Sequence, residues 1–552
     1  MIGNSRWRGL VLFTTISFIF VIFSTSHPHF YSPWRWTDVR TDSFGVYQRP
    51  DCSSIEEEND TKFHWACLRQ RYPVPDIRSL PASIPNSIPK IQADFEKETG
   101  VERQIRRAQL NAVKTNFTHA WNGYTSHAWL RDEVMPLSGR SHDPFGGWAA
   151  TLVDSLGWCS SAYTYEGRFL TLSRADTLWI MGLYDDFERA VSAINSIDFS
   201  TCALDEINVF ETTIRYLGGF LSAYDLSAGK YPTLLQKAGE IGDMLYHAFD
   251  TPNRMPITRW NFTAAAAGVA QEAPENVLVA ELGSLTLEFT RLSQLTGDSK
   301  YYDAVQRIMD VFGSQQSKTN LPGMWPVVVN ARKEDFTTAT GFTIGGMADS
   351  VYEYLPKVRF GSNFNMLITD EKKQHILLGG SSSQYHFLFK NAMEVMKRNI
   401  FYRPMTVDAR SVLLAGQTNS DGMTPVTELT IEPQAQHLGC FAGGMVGLAA
   451  RIFRNEQDMD IATKLVEGCL WGYENMPHGI MPEVIHTVPC QDQFQCEWNE
   501  QSWLDMVNEA YEGPEDAATK VQQHHLPKGV TKVDDTRYIL RFVSALLLSM
   551  DG

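Results

Sequence analysis

The chain has 552 residues, with 64 acidic against 48 basic side chains and a formal charge of −16. That balance excludes a basic nucleic-acid-binding surface, because neutralising phosphates is what supplies most of such affinity. It is compatible with a cation or a neutral polar ligand and selects neither.

In chain order, Arg6 and Arg8 precede an uncharged run from Gly9 to Ser24. The run is a little short of the roughly 20 residues of an ideal membrane span, so a cleaved signal peptide and an uncleaved anchor both fit. Positive charge upstream and the lack of a clean small-x-small cleavage site favour a type II signal anchor over 9–25, with residues 1–8 cytosolic. Everything downstream then reads as lumenal. Glycosylation sequons start at Asn59, Asn116 and Asn261, and they agree with that compartment. Eight cysteines are compatible with disulfides in an oxidising lumen, with connectivity left open. Residues 26–95 are rich in Pro, Ser and charge and end in Leu80-Pro-Ala-Ser-Ile-Pro-Asn-Ser-Ile-Pro89, a composition that favours an extended stem.

Beyond the stem the pattern is helix after helix, broken by short Gly, Pro, Asn and Asp loops. Helices are predicted over 97–115, 185–197, 209–226, 233–249, 276–295, 299–313, 342–355, 383–398, 437–454 and 460–472. Strand-like alternation is confined to connections, so the expectation is an all-α toroid or helical array. The most informative stretch is 208–224, where Phe210, Ile214, Leu217, Leu221 and Tyr224 form a buried helical stripe. Beside it runs Glu211, Arg215, Gly218 and Ser222. An acid and a base one turn apart, next to residues that leave room, suit a polar ligand; an exposed helical ion pair is the alternative reading.

Further acids repeat the theme. Glu281 and Glu288 flank a stripe of Leu278, Leu282, Leu285 and Phe289, while Asp349 and Glu353 lie one turn apart with Gly345 a turn earlier. Like charges at that spacing repel, so a helix carrying them faces water or uses them. Asp132 and Glu133 follow Trp129. Aromatic faces to stack on, acceptors for hydroxyls and two acids to cleave a glycosidic bond are what a sugar site requires.

The segments His119-Ala-Trp-Asn-Gly-Tyr, Ser141-His-Asp-Pro-Phe-Gly-Gly-Trp, Phe210-Glu-Thr-Thr-Ile-Arg-Tyr-Leu-Gly-Gly, Ala348-Asp-Ser-Val-Tyr-Glu-Tyr-Leu and Gly479-Ile-Met-Pro-Glu483 together resemble glycoside hydrolase family 47, the class I α-1,2-mannosidases. The resemblance covers 96–541. It implies an (α/α)7 barrel, incomplete at its C-terminal end, and an inverting hydrolase that trims high-mannose N-glycans at the endoplasmic reticulum or Golgi membrane. Calcium would be required by the complete enzyme.

The same resemblance assigns roles. Glu211 matches the proton donor, acting through a water, with Arg215 beside it; Asp349 and Glu483 match partner carboxylates. Asp132, Glu133, Glu281, Glu353 and His437 match groups that line the pocket. Met347 stands where some members carry a specificity-restricting arginine, which implies a broader trimming range. Cys440 and Cys469 match a structural disulfide, whose loop of about thirty residues would stabilise by roughly 3–4 kcal/mol in the chain-entropy model. Cys490 and Cys496 are close enough in sequence to pair, and that question stays open.

Two segments depart from the family pattern. Residues 157–175, which include Cys159, interrupt what would otherwise be one helix; they read as an aberrant insertion from retained intron, or else as a surface loop. After Arg541 the expected Pro-Glu motif with the general base is replaced by 542–552. The resemblance therefore implies that this chain lacks the base and the calcium-holding threonine. A non-catalytic mannose-binding role or a degradation-type relative is the rival reading.

Overall fold

The computed structural model describes residues 47–52, 63–81, 98–156, 162–165, 168–171, 177–360, 378, 382–492 and 494–537. The anchor at 9–25, the sequon at Asn59, Cys159, most of 157–175 and the tail 542–552 lie outside them. Among the described residues no helix is long and apolar enough to cross a membrane.

The body is built from sequential helix pairs: Gly218–Leu226 with Pro232–Tyr246, Thr286–Thr296 with Lys300–Gln315, Asp349–Phe360 with Ser383–Asn399, and Ala442–Phe453 with Glu456–Glu474. The first helix of each pair also touches the first helix of the next. These leading helices form an inner wall and their partners an outer one. Trp260, Trp325, Tyr216, Phe249, Phe289 and Phe312 fill the space between elements and are fully buried. Burial of such rings on this scale is the main driving term for the fold.

Each inner helix is entered from a short strand. Glu206–Asn208 precedes Val209–Thr212, Val277–Leu278 precedes Val279–Gly283, Gly341–Thr343 precedes the turn before Asp349, and Gln434–Gln436 precedes His437–Phe441. The strands pair antiparallel with connecting segments, for example Glu206 opposite Asn261 and Val277 opposite Val329. All four helix starts are therefore held at strand ends by backbone hydrogen bonds.

Most predicted helices are present, but 276–295 opens as the strand Val277–Leu278 and is broken between Val279–Gly283 and Thr286–Thr296, and 97–115 runs on to His127. The region 342–355 opens as strand and turn, so Gly345 is not a helical turn ahead of Asp349. Its role is close approach: a Cβ there would fall 2.5 Å from Gln436 Oε1. The region 209–226 is divided by a π-helical segment, Thr213–Leu217. The extra residue in that widened turn rotates the helix beyond it, and Gly218 and Ser222 are buried instead of sharing an open face with Glu211. Glu500–Ala510 and Ala517–His524 are helices that the apolar pattern did not announce.

The stem reading also changes. Residues 47–52 and 63–81 lie as a strap on the outer helices. The backbone N–H groups of Arg71 and Tyr72 donate to Asp250 at 2.8 Å each, Arg78 N donates to Asp303 at 3.1 Å, and Tyr47 Oη donates to Asp243 at 2.6 Å. Trp65 is buried against Trp260, Phe262 and His247. Pro-rich chain with no internal ladder is extended, but here its donors find buried carboxylates instead of water. Cys52–Cys67 closes the strap, and Cys440–Cys469 and Cys490–Cys496 close the C-terminal half. The last of these settles the pairing that sequence left open.

Candidate active site

Asn208 is the N-cap of the first inner helix, its Oδ1 accepting from Glu211 N at 3.1 Å. An Asn three residues before a Glu is a helix-start signature, and it fixes where Glu211 projects. Arg215, one turn on, donates from Nε to Glu211 Oε2 at 3.0 Å and from Nη1 to Asp154 Oδ2 at 3.0 Å. The guanidinium carbon sits 4.5 Å from the Phe145 ring centroid. The three charged side chains are between 25 and 30% exposed, which is open enough to meet a ligand. Burial works against the Arg215 charge, but Asp154 and then Glu211 outweigh it and hold the guanidinium above its ordinary value.

The same Asn208 reaches the next helix start, its Nδ2 donating to Glu281 Oε1 at 3.2 Å, where Arg259 Nη1 also sits at 2.7 Å. Ala280 N then donates to Met347 O at 3.0 Å, two residues before Asp349 opens the third inner helix. Met347 itself has φ +74 and is 60% exposed. Asp349 Oδ1 accepts from Ser350 N at 2.8 Å at the start of the third inner helix. Glu353, one turn further, pairs with the buried Lys357.

Gly346 N donates to Gln436 Oε1 at 2.7 Å, and His437 N donates to Glu483 O at 2.8 Å. His437 is fully buried, with its Nδ1 3.8 Å from Glu483 Oε1 and its Nε2 against Tyr473 Oη. Glu483 is held from the other side by the Arg537 carbonyl at 3.1 Å. Glu211, Glu281, Asp349 and the His437–Glu483 pair are thus linked in one belt across the inner-helix starts.

Three nominated residues sit differently: His437, nominated to line the pocket, is the fully buried support of Glu483 just described, and Asp132 and Glu133 depart as follows. Asp132 is buried, and both its oxygens are occupied: Oδ2 accepts from Phe145 N at 2.8 Å and Gly147 N at 2.9 Å, Oδ1 from Ala150 N and Tyr216 Oη at 3.1 Å each. It organises the loop that carries Phe145 under Arg215. Glu133 lies on a surface hairpin, paired with His142 at 2.9 Å and 46% exposed. Asn116 and Asn261 are both exposed; Asn261 Oδ1 caps the helix Phe262–Ala266 by accepting from Ala264 N at 2.7 Å.

Asp154 was not among the nominated residues. Its signal was the one charged position between the buried Leu152, Val153 and Leu156. Among the described residues no group of three or more His, Cys, Asp or Glu side chains is arranged to hold a metal ion.

A family model described as Glycosyl hydrolase family 47 matches residues 116–160 and 167–542; the strap lies outside that match. Mannosyl-oligosaccharide alpha-1,2-mannosidase IA of Spodoptera frugiperda is 31% identical over 404 residues, covering 70% of this chain and 51% of that protein. The endoplasmic reticulum mannosyl-oligosaccharide 1,2-alpha-mannosidase of Rattus norvegicus is 32% identical over 374 residues, 67% of this chain and 48% of its own length. The chain thus spans about half the length of these curated relatives. Among solved structures, alpha-1,2-mannosidase from Trichoderma reesei superposes with TM-score 0.56 at 25% identity, covering 68% of this chain and 70% of that one.

Proposed function

Because the chain belongs to glycosyl hydrolase family 47, whose all-α (α/α)7 barrel it shares, we propose that it hydrolyses terminal α-1,2-linked mannose from high-mannose N-glycans. The reaction proceeds with inversion, in the secretory pathway at the endoplasmic reticulum or Golgi membrane. The observation that carries this reading is the belt of acids at the inner-helix starts, with Glu211 half open and oriented by Asn208 and Arg215.

Inversion needs one carboxyl to protonate the leaving oxygen and another to direct water from the opposite face. Glu211 is assigned the first task. Arg215 occupies Oε2, so the second oxygen serves the intervening water that relays the proton. Asp349 and Glu483 are the partner carboxylates, and since 542–552 stands where the family pattern carries its general base, directing the water falls to one of these two. Glu281 and Glu353 shape the pocket, while the fully buried His437 stands beside Glu483. Phe145 and Met347 offer apolar surface to a pyranose face. Calcium, which family members use, would hold sugar hydroxyls; the described residues offer it no cluster of acidic or histidine ligands, and the chemistry assigned to this chain rests on its own side chains.

The test is release of free mannose from a high-mannose N-glycan by the full chain made in a secretory host. Glu211→Gln should lower turnover by about 10²–10⁴-fold with unchanged thermal unfolding. Retained turnover in that variant would sink the acid assignment. Glycan binding without any release by the native chain would replace hydrolysis with the mannose-binding reading.

A further inference from the structure

A cavity of about 370 Å³ opens beneath the strap, between Leu68–Pro73 and the short helices His247–Phe249 and Phe262–Ala266. That is the size of an ordinary small-ligand site. No residue of the acid belt lines it, and its strap wall lies outside the family match. The side-chain acceptors in the wall are engaged. Asp250 takes the backbone N–H groups of Arg71 and Tyr72 at 2.8 Å each and lies 3.5 Å from Arg254 Nη1. Gln271 Oε1 accepts from Trp260 Nε1 at 2.5 Å, and its Nε2 donates to His247 O at 2.9 Å. Other groups facing the cavity are not engaged. Arg69 is exposed, and its guanidinium has no hydrogen bond or ion pair among the described residues. Gln70 Nε2 is sealed from water with no acceptor. His247 is 5% exposed, and its Nε2 must carry the proton, because Trp65 O at 2.9 Å can only accept. Burial holds that ring below its ordinary pKa and so neutral, which leaves Nδ1 as an acceptor with no partner among the described residues. Arg71 adds a second guanidinium, met by the Gly268 carbonyl at 3.1 Å.

We propose that this cavity is a second ligand site and that its ligand is a sugar carrying an anionic group. The anion, a phosphate or a carboxylate, lies against Arg69 and Arg71, two cations without a carboxylate partner in a chain of charge −16. A ring or hydroxyl oxygen accepts from Gln70 Nε2 and removes the standing cost of a sealed, unmade donor. A hydroxyl donates to His247 Nδ1, and the C–H face of the ring rests on Leu68 and Pro73. A bare inorganic anion makes only the first of these contacts, and a neutral sugar only the others.

Calorimetric titration of the full chain with glucose 6-phosphate and with glucuronate tests this and tells the two anions apart. At least one of them should bind saturably, one per chain, about tenfold or more tightly than glucose or inorganic phosphate. Arg69→Ala, at an exposed side chain, should weaken that binding by about tenfold or more at native melting temperature and with native mannose release. Arg69→Lys keeps the charge without the fork and should weaken it less. Gln70→Leu, which removes the sealed amide, should weaken it independently. Glu211→Gln should bind as the native chain does, so the result stands apart from the hydrolase reading. Absence of saturable binding by either anionic sugar overturns the proposal, as does binding that survives both Arg69→Ala and Gln70→Leu. Inorganic phosphate binding as tightly as the sugar phosphate would make the cavity an adventitious anion patch, and overturns it too.

Discussion

Asp132 and Glu211 are near neighbours, joined through Tyr216 and Phe145, yet they are opposite kinds of carboxylate. Asp132 is buried, with four donors on two oxygens, and has no capacity left for a ligand. Glu211 is 30% exposed, with Arg215 on one oxygen. Each follows an aromatic residue closely, Trp129 before Asp132 and Phe210 before Glu211; the first was nominated to line the pocket and the second as proton donor. Saturation by backbone donors is what separates an acid that builds the site from one that works in it.

The comparison breaks most easily at Asp132. Asp132→Ala leaves the backbone N–H groups of Phe145, Gly147 and Ala150 without this acceptor, and the Tyr216 hydroxyl with Phe145 O alone; it should cost about 3–5 kcal/mol in urea unfolding. Asp132→Asn, which turns an amide donor toward N–H donors, should cost about 1–3 kcal/mol. An alanine variant of native stability but without turnover would instead make Asp132 a working acid.

Glu288 sharpens the same contrast with a smaller effect. It is buried and accepts from Tyr354 Oη at 2.9 Å. Burial pushes its pKa from the ordinary 4.5 up to about 8. The fold thus favours the protonated form, whose contribution is complete below the unfolded value. As pH rises through this window the unfolded chain ionises first, and stability should decline by up to about 1.4 kcal/mol per pH unit. Glu288→Gln stays neutral, so its melting temperature should fall less steeply between pH 5 and 8 than that of the native chain; equal slopes would remove Glu288 from the account.

Much of this was legible in the residues. The apolar spacing located the inner helices, and acids beside small or aromatic residues marked their starts. What was not legible came from events that periodicity does not record. The π segment Thr213–Leu217 buried Gly218 and Ser222. A loop folding back on Asp132 converted a nominated ligand into a scaffold. Asp154 escaped notice because its partner lies 61 positions away, and nothing local foretells a shared arginine.

The strap has a practical consequence for where this protein can be cut. A shortened form begun at residue 96, where composition alone would place the boundary, would be an injured body and not a trimmed one. Asp250 would lose two backbone donors at once, and Asp303 a third. Removing Tyr47 would open a slot over Gly239, where a Cβ would lie 2.2 Å from that ring. The seam of Trp260, Phe262 and His247 would stand bare where Trp65 now lies. Secretion yield and aggregation of truncations begun at 46 and at 96 would therefore differ sharply, although both retain every residue of the acid belt.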